Sequence, residues 1–111
     1  MSEILTRSSV LWALEELSSR EEQSRLWLSD GTSGEVSSFE EAVCEAFDGG
    51  VTKELESGAV PENVSLAFSE LRSPILKMPA SVPTSQIIDH PIMSRIRTKS
   101  YELATLLRSI S

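Results

Sequence analysis

Four carboxylates, Glu40, Glu41, Glu45 and Asp48, crowd one short stretch, and Glu41, Glu45 and Asp48 follow one another at spacings of four and three. On an α-helix those spacings stack side chains on one side, where paired carboxylates can bind a hard cation or divide general acid and base roles. No partner group with metal-ligand spacing accompanies them, and Glu40 and Glu41 sit where a helix would start, a position whose dipole favours anions. The set therefore reads as a helix face, either solvated or used to contact a partner, and no catalytic, cofactor-binding or metal role is assigned to it.

The single histidine, His90, follows Asp89, and a nucleophilic triad would need the fold to bring it a serine or cysteine. No Gly-x-Ser-x-Gly elbow is present, and Asp89-His90-Pro91 is accounted for as the opening of a helix. The carboxylates around Cys44 oppose the negative charge of a thiolate, which argues against an activated nucleophile. Zinc lacks ligands, and there is no glycine-rich phosphate loop. The sequence accordingly points away from an enzyme and calls for no cofactor.

Two further groups bear on partners. Arg95, Arg97, Lys99 and Arg108 could touch phosphate, but the excess of negative charge elsewhere and the lack of interleaved aromatics argue against nucleic acid. Internal use is favoured instead, through the dipole of the last helix and pairing with the acidic N-terminal helices. Trp12, with Leu5, points away from the stripe of Val10 and Leu14, so it either packs between helices, the commoner fate of a large aromatic, or forms a subunit contact.

Charge is distributed unevenly along the 111 residues. Residues 1 to 71 carry fifteen carboxylates against four basic side chains, and residues 72 to 111 carry two against six, within a net charge of −7. Such a surface repels nucleic acid and anionic lipid and attracts cationic partners. With 40% apolar residues, five glycines and five prolines, the composition is that of a single globular domain. The longest apolar run, Val10 to Leu14, is too short to span a membrane. No secretory leader is recognisable, and one cysteine cannot form an internal disulfide, so a cytoplasmic location is expected.

These side chains must be positioned by helices, since no period-two segment stands out and the apolar residues recur at three and four. Val10, Ala13, Leu14 and Leu17 predict a helix from about Thr6 to Ser18. Capping-box spacings at Ser19 and Glu22 and at Ser38 and Glu41 predict the second and third helices, the second carrying Gln23, Leu26 and Trp27 inward. Phe39, Ala42, Val43, Ala46 and Phe47 back the third, which should end at Asp48-Gly49-Gly50 with glycine in a left-handed cap. A short helix over Val51 to Ser57 should stop at Gly58, and one starting near Pro61 should bury Val64, Ala67, Phe68, Leu71 and Ile75 until Pro74 kinks or ends it. After a connection over Lys77 to Gln86, His90-Pro91 opens the last helix, with Ile92, Ile96, Leu103, Leu107 and Ile110 as its buried face. The expectation is an all-α single domain of five or six helices with two long loops, a hairpin over Leu26 to Val36 being the main alternative.

The combination Gln23-x-x-x-Trp27, Ser38-Phe39-Glu40-Glu41-Ala42-Val43 leading to Ala46-Phe47-Asp48, and a late His90-Pro91 resembles small acidic bacterial proteins of uncharacterised families. In similar sequences a tryptophan precedes a glycine-rich loop, a serine-capped acidic helix ends in Leu-Phe-Asp-Asp, and His-Pro-Trp precedes the final helix. Here Ala46 stands for the leucine, Gly49 for the second aspartate and Ile92 for the tryptophan. That resemblance implies no activity and no catalytic residue. In size, charge and helical character the chain is also similar to immunity proteins that neutralise bacterial toxins, many of which present acidic surfaces to cationic nuclease sites. The expected function is a small non-enzymatic inhibitor or adaptor contacting a basic protein through Glu40, Glu41, Glu45 and Asp48. The alternative is a structural or regulatory homo-oligomer joined through Leu5 and Trp12.

Overall fold

A computed structural model of the chain describes residues 7–28, 38–47, 49–58, 60–79 and 82–110. These residues form seven α-helices and no strand: α1 (Ser8–Ser18), α2 (Arg20–Trp27), α3 (Phe39–Ala46), α4 (Gly49–Glu56), α5 (Glu62–Leu76), α6 (Thr84–Ile88) and α7 (Pro91–Ile110). The all-α expectation holds, and α6 adds one helix to those predicted: the Pro83 carbonyl accepts the backbone N–H of Gln86 and Ile87 at its start, so the connection ends early. The residues of the alternative hairpin are helical up to Trp27, and those beyond Leu28 lie outside the described residues.

Local chemistry explains most boundaries. Ser19 and Ser38 each accept the backbone N–H three residues on, from Glu22 at 3.2 Å and Glu41 at 3.1 Å, which satisfies one orphan donor at the start of α2 and of α3. The reciprocal half of the box at Ser19 is not made, because its N–H is directed to the carbonyl of Glu16. The expected glycine cap after α3 is absent: α3 ends at Ala46, Phe47 caps it, and Gly49 and Gly50 begin α4. Gly58, at φ 78°, is instead the described glycine in the left-handed region, and it follows the end of α4. Pro74 falls in the last turn of α5, where the lost N–H affects only the helix end, so the helix continues to Leu76.

The core is built around α1 and α7. Val10, Leu14 and Leu17 of α1 meet Leu103, Ala104 and Leu107 of α7 in one buried cluster that includes Phe39 and Ala42 of α3 and Phe68 and Leu71 of α5. α1 packs on both α7 and α3, and α5 packs on α7. Ile96, Leu103 and Leu107 are buried as expected. Ile92, also expected on the buried face of α7, is only partly buried, Met93, one residue on, is wholly buried, and the Ile110 side chain lies outside the described residues. Two edge-to-face aromatic pairs fasten the periphery: Trp27 with Phe39 at 5.9 Å joins α2 to α3, and Phe47 with Phe68 at 5.8 Å joins the end of α3 to α5. Trp27 Nε1 also donates to Glu16 Oε2 at 2.7 Å, so its polar edge is satisfied as its ring is buried.

Gln23 is wholly buried and has a polar task. Its Nε2 donates to the carbonyls of Glu16 at 3.0 Å and Leu17 at 2.8 Å, which closes the C-terminus of α1. Its Oε1 accepts from Arg97 Nε at 3.0 Å, and Arg97 Nη2 donates to the carbonyl of Ile88 at the end of α6. One amide and one guanidinium thus tie α1, α2, α6 and α7. Partial burial lowers the Arg97 pKa, the positive charge of Arg20 acts the same way, and Asp89 opposes both. The arginine stays charged, and its hydrogen bonds to Gln23 and Ile88 replace water that burial removes.

Gln23→Leu is expected to lower the unfolding free energy by about 3 kcal/mol in a urea titration, because it removes the acceptor of Arg97 Nε and the donor shared by the Glu16 and Leu17 carbonyls. Arg20→Ala, which breaks only the exposed 2.6 Å pair with Asp89, should change it by less than about 0.5 kcal/mol. Ser100 is buried on α7 and its hydroxyl has no hydrogen-bond partner among the described residues. Ser100→Ala should therefore stabilise the protein by about 0.5–1 kcal/mol, read as a raised urea midpoint.

Candidate functional site

α3 is anchored on one side and charged on the other. Phe39, Ala42 and Ala46 are buried against the core, which fixes the rotation of the helix about its axis. At 3.6 residues per turn, Glu40, Cys44, Glu41 and Glu45 then occupy one continuous outer arc, and all four are exposed. Three of the four carboxylates singled out in the sequence are thus brought together, with the chain's one cysteine between them. Asp48 lies outside the described residues. None of Glu40, Glu41 or Glu45 makes an ion pair or side-chain hydrogen bond with the described residues.

Their local surroundings differ. Glu40 and Glu41 lie in the first turn, where the positive end of the helix dipole stabilises an anion. Glu45 lies in the last turn, next to the negative end, and no cation shares that turn. Helix energetics therefore account for two of the carboxylates and run against the third.

The other singled-out residues are dispersed. Nδ1 of His90 accepts the backbone N–H of Ile92 at 3.1 Å, so the ring caps α7, with Pro91 as its first residue. Asp89 is engaged with Arg20 rather than with the histidine. Trp12 is 70% exposed on the outer side of α1, which corrects the expectation of burial between helices. Its neighbours three and four residues away cannot cover it, because the buried stripe of Val10, Ala13, Leu14 and Leu17 faces the opposite way. Leu5 lies outside the described residues.

Arg95, Arg97, Lys99 and Arg108 form no common cluster, since residues 95 and 97 lie on nearly opposite sides of α7. Arg97 bonds Gln23, Arg108 pairs with Glu15 of α1, and Lys99 pairs with Glu70 of α5 at 3.2 Å and Glu102 at 3.5 Å. The hydrogen bond to Glu70, followed by the charge of Glu102, holds the Lys99 pKa above the ordinary lysine value. A raised lysine pKa means that the contribution of the pair is complete at neutral pH and is lost only as alkaline pH removes the proton. Of the pairing with acidic N-terminal helices expected from the sequence, Arg108 with Glu15 is the instance, whereas Lys99 pairs with α5 and with its own helix and Arg97 bonds an amide and a backbone carbonyl. Arg95 is exposed and has no such partner.

No protein-family model matches the chain, and no curated protein or solved structure shows significant similarity to it. Among the described residues no helix is long and apolar enough to cross a membrane, and no group of three or more His, Cys, Asp or Glu side chains could hold a metal ion.

Ser38→Ala should cost about 1 kcal/mol through loss of the α3 cap. Glu45→Lys should instead raise stability by about 0.5 kcal/mol, since it places a cation at the negative end of α3 and one turn after Glu41. Paired urea titrations of the two variants test both signs.

Proposed function

We propose that this chain is a cytoplasmic, non-enzymatic binding protein, an inhibitor or adaptor of the immunity type, that contacts a basic protein partner through the outer face of α3. Glu45 carries the reading: an exposed carboxylate with no ion pair to any described residue, held at the helix end where the dipole disfavours it. Folding gains nothing from that charge, whereas a cationic partner would. Glu40 and Glu41 extend the same field, and the buried Phe39, Ala42 and Ala46 keep the three carboxylates on one rigid surface. Rigid placement matters because ordering mobile side chains at an interface costs about 0.5–1.5 kcal/mol each. A basic active site would find the carboxylates where substrate phosphates otherwise bind. Attraction at this range speeds encounter and is screened beyond about 8 Å at physiological salt.

Cys44 offers a direct test, since it is the chain's single cysteine and lies exposed within the acidic arc. Partners captured from source-cell lysate at low salt should include a basic protein that is released by high salt, lost from Glu45→Lys, and able to shield Cys44 from maleimide. Undiminished capture by the Glu41→Lys, Glu45→Lys double variant, with Cys44 still reactive in the complex, rules out α3 as the contact.

A second reading, a structural or regulatory homo-oligomer, rests on Trp12, whose 70% exposure is large for a tryptophan. It requires a mass that rises with concentration and falls for Trp12→Ser. A concentration-independent monomer in sedimentation removes it.

A further inference from the structure

The C-terminal residues 72 to 111 hold six basic side chains, and the fold divides them into two sets. Arg97, Lys99 and Arg108 are engaged internally, as described above. Arg72, Lys77 and Arg95 are exposed and make no ion pair or side-chain hydrogen bond with the described residues. All three line a run of adjoining surface hollows along α5. The first, of about 160 Å³, lies between α4 and α5 and is lined by Phe47, Phe68 and Arg72, with Glu56 also on its wall. A second, of about 450 Å³, shares Ser69 and Arg72 with it and includes Leu76 and Lys77. A third, of about 230 Å³, shares Lys77 and is closed by Pro91, Ile92 and Arg95 at the start of α7.

From this juxtaposition we infer that the α5 groove is a second docking surface, one that binds an acidic peptide segment of another protein bearing apolar anchor residues. No single hollow holds all three cations: Arg72 and Lys77 line one and Lys77 and Arg95 the next, so the positive charge runs along the adjoining hollows. Apolar surface alternates with them: Leu76 is 72% exposed, and Pro91 and Ile92 line the far hollow. Alternating charge and apolar surface matches a peptide whose carboxylates meet the cations while its apolar side chains enter the hollows. Among the described lining residues the acidic one, Glu56, stands at the α4 end, so the acidic residues of the peptide belong toward Lys77 and Arg95.

Two other occupants fit less well. A nucleic acid would meet the field of a chain with net charge −7, and the half of the groove that holds Lys77 and Arg95 has no aromatic platform for bases. A second copy would bring that same net charge against itself. A flexible acidic segment approaches the local positive patch alone. With the acidic α3 face, this groove would let one small chain hold a basic and an acidic partner together.

The test uses the full chain and a fluorescein-labelled peptide of about twelve residues in which glutamates are interspersed with leucines. Fluorescence anisotropy should show saturable binding that weakens at least about tenfold in the Arg72→Glu, Lys77→Glu double variant, and several-fold in Arg95→Glu. Replacing the peptide's glutamates by lysine, or its leucines by serine, should abolish or strongly weaken binding. Glu41→Lys, Glu45→Lys should leave the affinity within about twofold, which separates this surface from the proposed α3 contact. Because all the substituted groove residues are exposed, unchanged circular dichroism and urea midpoints are expected to confirm folding. The inference is overturned by absence of binding, by equal affinity of the lysine peptide, or by unchanged affinity in the groove variants. It is equally overturned if a DNA oligonucleotide or inorganic phosphate displaces the peptide at comparable concentration. Preferential binding of a peptide of residues 38–48, with concentration-dependent dimerisation, would assign the groove to a second copy instead.

Discussion

The buried contact between Gln23 and Arg97 is the constraint on which the rest of the architecture depends. α2 is short, and its mean composition is polar, so apolar burial alone gives it little hold on the bundle. A side chain that ends α1, belongs to α2 and accepts from α7 specifies how all three meet, and the donation from Arg97 to Ile88 extends that geometry to α6. An apolar residue at position 23 would tolerate several helix orientations, whereas an amide whose donor and acceptor are both used tolerates few. Trp27 then follows from the same placement, since a correctly oriented α2 brings its ring to Phe39 and its Nε1 to Glu16. α3 is seated directly on α1 through its buried face of Phe39, Ala42 and Ala46, which sets the direction in which its carboxylates point, and the Trp27 ring fastens its first residue to α2.

Electrostatics divides along the same lines. The bundle neutralises the C-terminal cations that face α1 and α5, and it leaves those near the end of α5 exposed. The result is a molecule of net charge −7 in which the exposed carboxylates of α3 and the exposed cations Arg72, Lys77 and Arg95 occupy different parts of the fold and do not pair with one another. Exposed pairs contribute only about 0–1 kcal/mol each, so pairing them would add little stability. Separated charge of each sign, by contrast, directs encounter and orientation.

Much of this was legible in the sequence, for reasons that differ by element. The caps at Ser19 and Ser38 depend on side chains three residues apart, and such local chemistry survives folding unchanged. The α1 stripe was legible because four strongly apolar residues fall at three and four. Gly49-Gly50 misled because glycine permits a left-handed cap without requiring one, and the adjacent Val51 is drawn into the core as part of α4. Spacing groups Arg97 with neighbours of like charge, although its partner Gln23 lies 74 residues away, and no spacing rule reaches that far. The α5 groove was hidden for the same reason: Arg72 and Lys77 come from one helix end, Arg95 from another, and only the packing of α5 on α7 brings them to one surface.

Exposure alone does not separate a working charge from a solubilising one, but the energetic cost of its position can. Glu40 and Glu41 are adequately explained by the dipole of α3, as are most acidic residues in a first turn. Glu45 stands at the opposite end of an eight-residue helix, too short to bring the first-turn and last-turn fields to a neutral middle. A lysine there would be slightly better for the helix and would also pair with Glu41 one turn earlier. The glutamate therefore costs a few tenths of a kcal/mol, small beside the typical 5–15 kcal/mol of a folded domain. A residue that slightly disfavours its own helix while strengthening a coherent external field is better explained by what approaches that helix than by the helix itself. Trp12 gives no comparable argument, since an isolated exposed aromatic on α1 has no field to align with and no described neighbour that completes a face.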